Sequence, residues 1–228
     1  MDFIPFENKI GYSFLDKGLI EQAFTHRSYL NENRAAGREH NERLEFLGDA
    51  VLELVVTEFL FAKYPEKPEG ELTAYRAALV NTVSIADAAG KLGMNEFLLL
   101  SRGESRDTGR ARQIILANAF EALIGAIYLD SGYDAAKIFI AVQLFNKTDE
   151  VVEKKLWQDA KSRLQELSQE EMQVTPTYKV LDQTGPDHDR VFVVGAYIGN
   201  DKIATGEGRS KQEAEQVAAE KALAAKGW

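Results

Sequence analysis

Two stretches of the chain are apolar at helical spacing and are broken by a few polar residues at fixed offsets. The first is His40-Asn41-Glu42-Arg43-Leu44-Glu45-Phe46-Leu47-Gly48-Asp49-Ala50, which runs on to Phe61. Leu44, Leu47, Val51, Leu54, Val55 and Phe59 recur every three or four residues, which predicts one long, largely buried helix over 40–64. The second stretch, Ile114 to Asp130, predicts a helix over 111–130. Shorter helices are predicted behind a capping Asp16, with Leu19, Ile20, Ala23 and Phe24 inward, and over 71–92, with Leu72, Tyr75, Leu79, Val83 and Ile85 inside. Another is predicted over 134–146, with Ala136, Phe139, Ile140 and Leu144 inward. Polar loops are expected at 31–38 and 101–110.

The period then changes. Residues 159–169 read as a helix, and 178–181, 191–198 and 202–207 as strands, with Gly199-Asn200-Asp201 turning between the last two. A final helix is predicted over 210–225, capped by Ser210 with Glu213 at the capping-box position. Ala214, Ala218 and Ala222 give it a small-residue face for close packing on a sheet. The expected fold is therefore multidomain. An all-α domain occupies 1–148, a charged linker 149–158 with Trp157 docking its end, and a small α+β domain in the order α-β-β-β-α occupies 159–228. A chain of 228 residues is long enough for two modest cores.

Charge argues mildly against a nucleic-acid partner. The net charge is −9, with 17 cations against 24 acids in residues 1–154 and 10 against 12 in residues 155–228. Neither part has a basic domain's footprint, so any RNA must be held by local cationic patches and bound metal. Cysteine is absent, which fits a reducing cytoplasm. No apolar run of eighteen residues lacks charge, and no basic segment precedes an apolar one at the start, so neither a membrane span nor a secretory signal is expected.

The polar residues inside the apolar helices carry the chemistry. Glu42, Glu45 and Asp49 fall at i, i+3 and i+7, on roughly one face. They read either as a solvated face near a helix start, where the dipole favours anions, or as half of a metal site. Asn118 and Glu121 stand side by side on the other helix. Crossing of the two helices would collect oxygen donors suited to Mg²⁺ or Mn²⁺. With three histidines and no cysteine, structural zinc is not expected. His26 reads as a hydrogen-bonded structural residue. Arg102, Arg106, Arg110 and Arg112 read either as part of a solvated loop or as phosphate contacts. Gly48 and Gly125 would permit close helix approach, in the core or at an interface.

Asn41 to Asp49, NERLEFLGD, resembles the signature of the ribonuclease III family. Thr25-His26-Arg27-Ser28-Tyr29, Gly70-Glu71-Leu72 with Arg76-Ala77, and Phe120-Glu121-Ala122-Leu123-Ile124-Gly125 resemble its other blocks, in the same order. Gly206-Glu207-Gly208-Arg209-Ser210-Lys211, followed by Ala214-Glu215 and Ala218-Ala219, resembles a double-stranded-RNA-binding domain. The resemblance implies a divalent-metal-assisted endoribonuclease that leaves 5′-phosphates and short 3′ overhangs and processes ribosomal and messenger precursors. It implies that Glu45, Asp49 and Glu121 hold Mg²⁺, with Mn²⁺ as a substitute, and that Asp49 and Glu121 are catalytic. Glu42 and Glu71 become secondary candidates near the catalytic valley. Asn118 stands where the family usually has aspartate. It keeps a ligating oxygen but lacks the charge, which should weaken metal binding. A duplex has two strands related by a two-fold axis, so a homodimer is expected. No membrane and no small-molecule cofactor are expected as partners. In the second domain Ser162 and Gln165 are expected to face one minor groove, Pro186, Asp187 and His188 the next, and Ser210 with Lys211 a phosphate. The alternative is a duplex-RNA binder that lost its cutting activity through Asn118.

Overall fold

The computed structural model describes residues 1–33, 37, 39–153, 157, 159–186 and 190–228. It divides into two compact units, Met1–Trp157 and Gln158–Trp228. The first is helical: α1 (Ile4–Ile10), α2 (Lys17–Ala23), α3 (Arg27–Glu32), α4 (Glu42–Lys63), α5 (Glu69–Val80), α6 (Thr82–Lys91), α7 (Arg110–Leu144) and α8 (Thr148–Glu153). The second is α9 (Ala160–Met172), β1 (Thr177–Thr184), β2 (Val191–Ile198), β3 (Asp201–Gly208) and α10 (Lys211–Lys226).

The first unit is built around α4 and α7, which share the most extensive interhelical contact among the described residues. Two glycines allow it. A Cβ at Gly48 would overlap the carbonyl oxygen of Glu121 and lie 2.6 Å from its carbon. A Cβ at Gly125 would overlap the carbonyl oxygen of Leu44 and lie 3.1 Å from the Gly48 nitrogen. The helices therefore cross backbone against backbone. Leu52, Val55 and Val56 of α4, and Phe120, Leu123, Ile124 and Ile127 of α7, are fully buried around the crossing. Phe6, Ile20 and Phe24 close one end of this core, with Phe6 and Phe24 edge to face at 4.9 Å.

Several sequence expectations change here. The N-terminal segment contains three short helices rather than one. His26 caps α3 by accepting from the Ser28 amide, and its own amide donates to Leu99 O across an isolated parallel bridge. The helix expected over 71–92 is two helices. Asn81 turns the chain between α5 and α6 in an extended conformation and caps α6 by accepting from the Ser84 amide. Val83 consequently lies 66% exposed instead of inside. The helices expected over 111–130 and 134–146 meet directly at Gly132, whose φ of 80° interrupts α7. The stretch 149–158, expected as a linker, contains the rest of α8. Val151 and Val152 pack on the first core, Lys63 pairs with Asp149, and Trp157 stacks edge to face on Tyr75. Residues 34–36 and 38 of the expected polar loop, and 154–156 and 158 of the expected linker, lie outside the described residues. The stretch Arg110–Glu153 is long and apolar enough to cross a membrane, yet 56% of its most apolar window is buried inside the protein, as in a core helix.

In the second unit the three strands pair antiparallel in the order β1-β2-β3. Helices α9 and α10 pack together against the sheet, which buries Leu164, Ala196, Ile198, Ala218 and Ala222. The small face of α10 packs where Gly206 of β3 lies, and a Cβ there would overlap the Ala218 nitrogen and the Ala214 carbonyl. Ser210 caps α10 by accepting from the Glu213 amide, while Glu213 accepts from the Arg209 amide, one residue outside the usual box.

Overpacking at these contacts sets the first expectation. Gly48→Ala should destabilise the first unit, and Gly206→Ala the second, each by roughly 1–3 kcal/mol. Chemical denaturation followed separately in the two units checks both.

Candidate active site

The crossing of α4 and α7 determines which polar side chains meet. Glu45 and Asp49 flank Gly48 on α4. Asn118 and Glu121 lie two turns and one turn before Gly125 on α7. Because Gly48 rests on the Glu121 carbonyl, the four side chains emerge from adjacent turns of touching helices. Asp49 is exposed, whereas Glu45, Asn118 and Glu121 are half-buried at the edge of the core.

The electrostatics record this proximity. Burial pushes the Glu121 carboxyl up to about 7, and the charges of Asp49, Glu45 and Glu53 push it the same way. Burial and the neighbouring Glu42 also raise Glu45, while hydrogen bonding from the Asn118 side chain pulls it down. None of the groups acting on Glu121 is a cation. Among the described residues, no three carboxylate or imidazole groups converge at ligating distance on one point. What exists is a half-buried patch of hard oxygen donors, open at Asp49, with excess negative charge. That donor chemistry fits a divalent cation such as Mg²⁺ or Mn²⁺.

The secondary candidates divide. Glu42 is on the rim, 3.5 Å from Arg27 and 3.7 Å from His40, yet close enough to influence Glu45. Glu71 is engaged elsewhere, 2.7 Å from Lys67 and accepting from the Tyr75 hydroxyl at 2.8 Å. Both partners hold its carboxyl below the usual range. Sequence reading assigned no role to Glu53 and named Arg76 only within a family block; in the fold the Arg76 Nε lies 2.8 Å from the Glu53 carboxylate. The signal was present, because Glu53 is one helical turn beyond Asp49. Of the loop arginines, Arg112 is committed to structure. It donates to the carbonyls of Asp107 and Glu104 and holds the 101–110 loop against α7.

In the second unit Ser162 and Gln165 are exposed on one face of α9, opposite the buried Leu164 and Ser168. Pro186 is exposed after β1, and His188, with Asp187, lies outside the described residues. Ser210 is occupied by its cap. Lys211 is exposed, with its ammonium 6.0 Å from the centre of the Phe192 ring.

Comparisons with known proteins agree along almost the whole chain. The sequence profile of a family described as Ribonuclease-III-like matches residues 16–148. That of the double-stranded RNA binding motif matches residues 160–226. A protein named Ribonuclease 3 from Geobacillus kaustophilus is 47% identical over 221 residues, covering 97% of this chain and 89% of that protein. One of the same name from Bdellovibrio bacteriovorus is 44% identical over 218 residues, covering 95% and 93%. A solved structure of the nuclease domain of ribonuclease III from Campylobacter jejuni, described as flexible in a region involved in dimer formation, superposes with a TM-score of 0.58. It is 44% identical and covers 64% of this chain and 98% of that one.

The raised Glu121 carboxyl has a consequence for stability. A carboxyl whose value is raised on folding holds its proton more tightly in the folded state. Its stabilising contribution is complete below the unfolded value and is lost as pH rises to about 7. In metal-free buffer, Glu121→Gln should therefore melt higher than the parent at pH 8, and the two should converge near pH 4. Thermal scans across pH in EDTA check this, and equal melting at every pH would show that Glu121 carries no excess charge burden.

Proposed function

The chain belongs to the ribonuclease III family and is an endoribonuclease for double-stranded RNA, and on that premise we propose that Glu45, Asp49, Asn118 and Glu121 bind the divalent metal, Mg²⁺ or in its place Mn²⁺, that its hydrolysis needs. The observation that carries this reading is the contact of Gly48 with the Glu121 backbone, which sets the turns bearing these four oxygen donors side by side, with no cation among the described groups acting on Glu121. When bound, the metal supplies Lewis-acid stabilisation of the phosphate and an activated water. The protein's part is to orient these donors and exclude competing cations. Asp49 and Glu121 are the pair on which catalysis rests, because one is exposed toward substrate and the other is the most perturbed acid of the set. Glu42 lies on the rim of the same patch. Glu71, held by Lys67 and Tyr75, contributes only if the valley extends to it.

The second unit supplies duplex affinity. Exposed Ser162 and Gln165, Pro186 with the neighbouring His188, and Lys211 at the N-terminus of α10 are the proposed contacts to the minor grooves and phosphates. Lys211 is followed by Gln212 and Glu213 and not by further cations, so the electrostatic part of the affinity is modest. Ribosomal and messenger precursors in the cytoplasm are the proposed substrates. The 5′-phosphate and short 3′-overhang products follow from family membership.

The enzyme is proposed to work as a homodimer. Phe46 is 82% exposed in the second turn of α4, with Ala50 and Leu54 along the same face. Beside it opens a cavity of about 620 Å³ lined by His40, Arg43, Leu47 and Leu129. A two-fold axis would seat each Phe46 in the partner's cavity, since an isologous interface pairs a patch with its own copy.

Two experiments test this reading. Labelled duplex should be cut in Mg²⁺ and left whole in EDTA, and Asp49→Asn or Glu121→Gln should lower the rate roughly a hundredfold or more. Asn118→Asp should reach half-maximal rate at lower Mg²⁺, and a duplex shifted but never cut by the unaltered chain would favour the binder alternative. Sedimentation should show Phe46→Ala dissociating at protein concentrations roughly tenfold or more above those of the parent. An unchanged dimer would place the interface elsewhere.

A further inference from the structure

Arg76 of α5 is tied to α4 at two points. Its Nε lies 2.8 Å from Glu53 Oε2, and a terminal nitrogen donates to Thr57 Oγ1 at 2.9 Å. The Thr57 hydroxyl in turn donates to the Glu53 carbonyl at 2.6 Å, which closes a ring of contacts around the guanidinium. Glu53 and Thr57 are one and two turns beyond Asp49, so all three share one face of α4.

Glu53 is thus the next carboxylate along the helix from the proposed metal donors. Helical side chains lean toward the N-terminus, which for Glu53 means toward Asp49. A hard cation takes any carboxylate oxygen within reach. Glu53 is also 38% exposed, so water and ions have access to it. One guanidinium nitrogen engages Glu53 Oε2 and another engages Thr57, so the cation is anchored on α4 where it balances the Glu53 charge, which a single flexible ammonium would not do.

Resting on the metal reading above, we propose that Arg76 is a positioning residue that keeps Glu53 out of the metal's ligand set, so that the cation settles on the donors around the α4–α7 crossing. A plain interhelical pin would show the same contacts, and the two roles differ in what happens when Glu53 is neutralised as well.

The full-length chain is tested as Arg76→Ala, Glu53→Gln and the double variant. Calorimetry measures Mn²⁺ binding without RNA, cleavage of a labelled duplex gives kcat and KM, and melting in EDTA reports folding. Arg76→Ala is expected to bind Mn²⁺ roughly tenfold more tightly, because it releases a fourth carboxylate, and to lose roughly tenfold or more in kcat with little change in KM. Glu53→Gln should stay close to the parent, and the double variant should return to within about threefold of Glu53→Gln in both quantities. A double variant that keeps the full kcat loss of Arg76→Ala would overturn the proposal in favour of the pin. Unchanged Mn²⁺ affinity in Arg76→Ala would overturn it too. Should Arg76→Ala melt before assay temperature, Arg76→Lys, which keeps the charge but one tether, is expected to shift both quantities in the same directions, and no shift would count against the proposal. If the unaltered chain binds no Mn²⁺, the metal reading itself fails and this inference falls with it.

Discussion

The close approach of α4 and α7 is the constraint on which the first unit depends. Two glycines on facing turns bring peptide groups into direct contact, so the side chains of neighbouring turns must leave the crossing sideways. On one side they are Leu, Val, Ile and Phe, and they form the core. On the other they are acids and an amide, and they form the polar patch. One packing event thus makes both the hydrophobic interior and the site. A methyl group at either glycine would disturb both together, because interiors are packed too densely to yield by that much.

The patch is stable only because the packing outweighs its electrostatic cost. Half-buried carboxylates lose hydration and repel one another, and Glu121 carries the largest share of that burden. Structure elsewhere limits the damage. Glu42 faces Arg27, Glu53 faces Arg76, and Glu71 faces Lys67. These three peripheral acids each have a cation, and among the described residues Glu45, Asp49 and Glu121 are in no ion pair. That contrast separates the metal-binding candidates from acids of similar sequence character.

The second unit repeats the packing device for a different purpose. Gly206 lets α10 lie directly on β3, with Ala214 and Ala218 supplying the matching small face. A thin layer of this kind leaves α9 free to present Ser162 and Gln165, and the N-terminus of α10 free to present Lys211. Few cations serve this surface in a chain of net charge −9, so shape and amide donors must carry a large part of the recognition.

Hydrophobic periodicity determined the two long helices, the change to strands after α9 and the face of α10 that meets the sheet, because burial of a face imposes its spacing on the sequence. The motif NERLEFLGD and its companion blocks sufficed for the family. The break at Asn81 was harder to read, because it interrupts an otherwise continuous apolar pattern whose two halves pack on the same core, whereas the break at Gly132 falls between the two helices that the pattern separated. Residues 149–153 looked like linker because they are charged, yet Val151 and Val152 dock them on the core, while Trp157 docks as expected. Pairing was decided only in three dimensions. Glu53 and Glu71 are both acids on apolar helices. Where each points, and which cation reaches it, follows from how α5 lies against α4. No local pattern encodes that placement, because it results from long-range packing among all the helices at once.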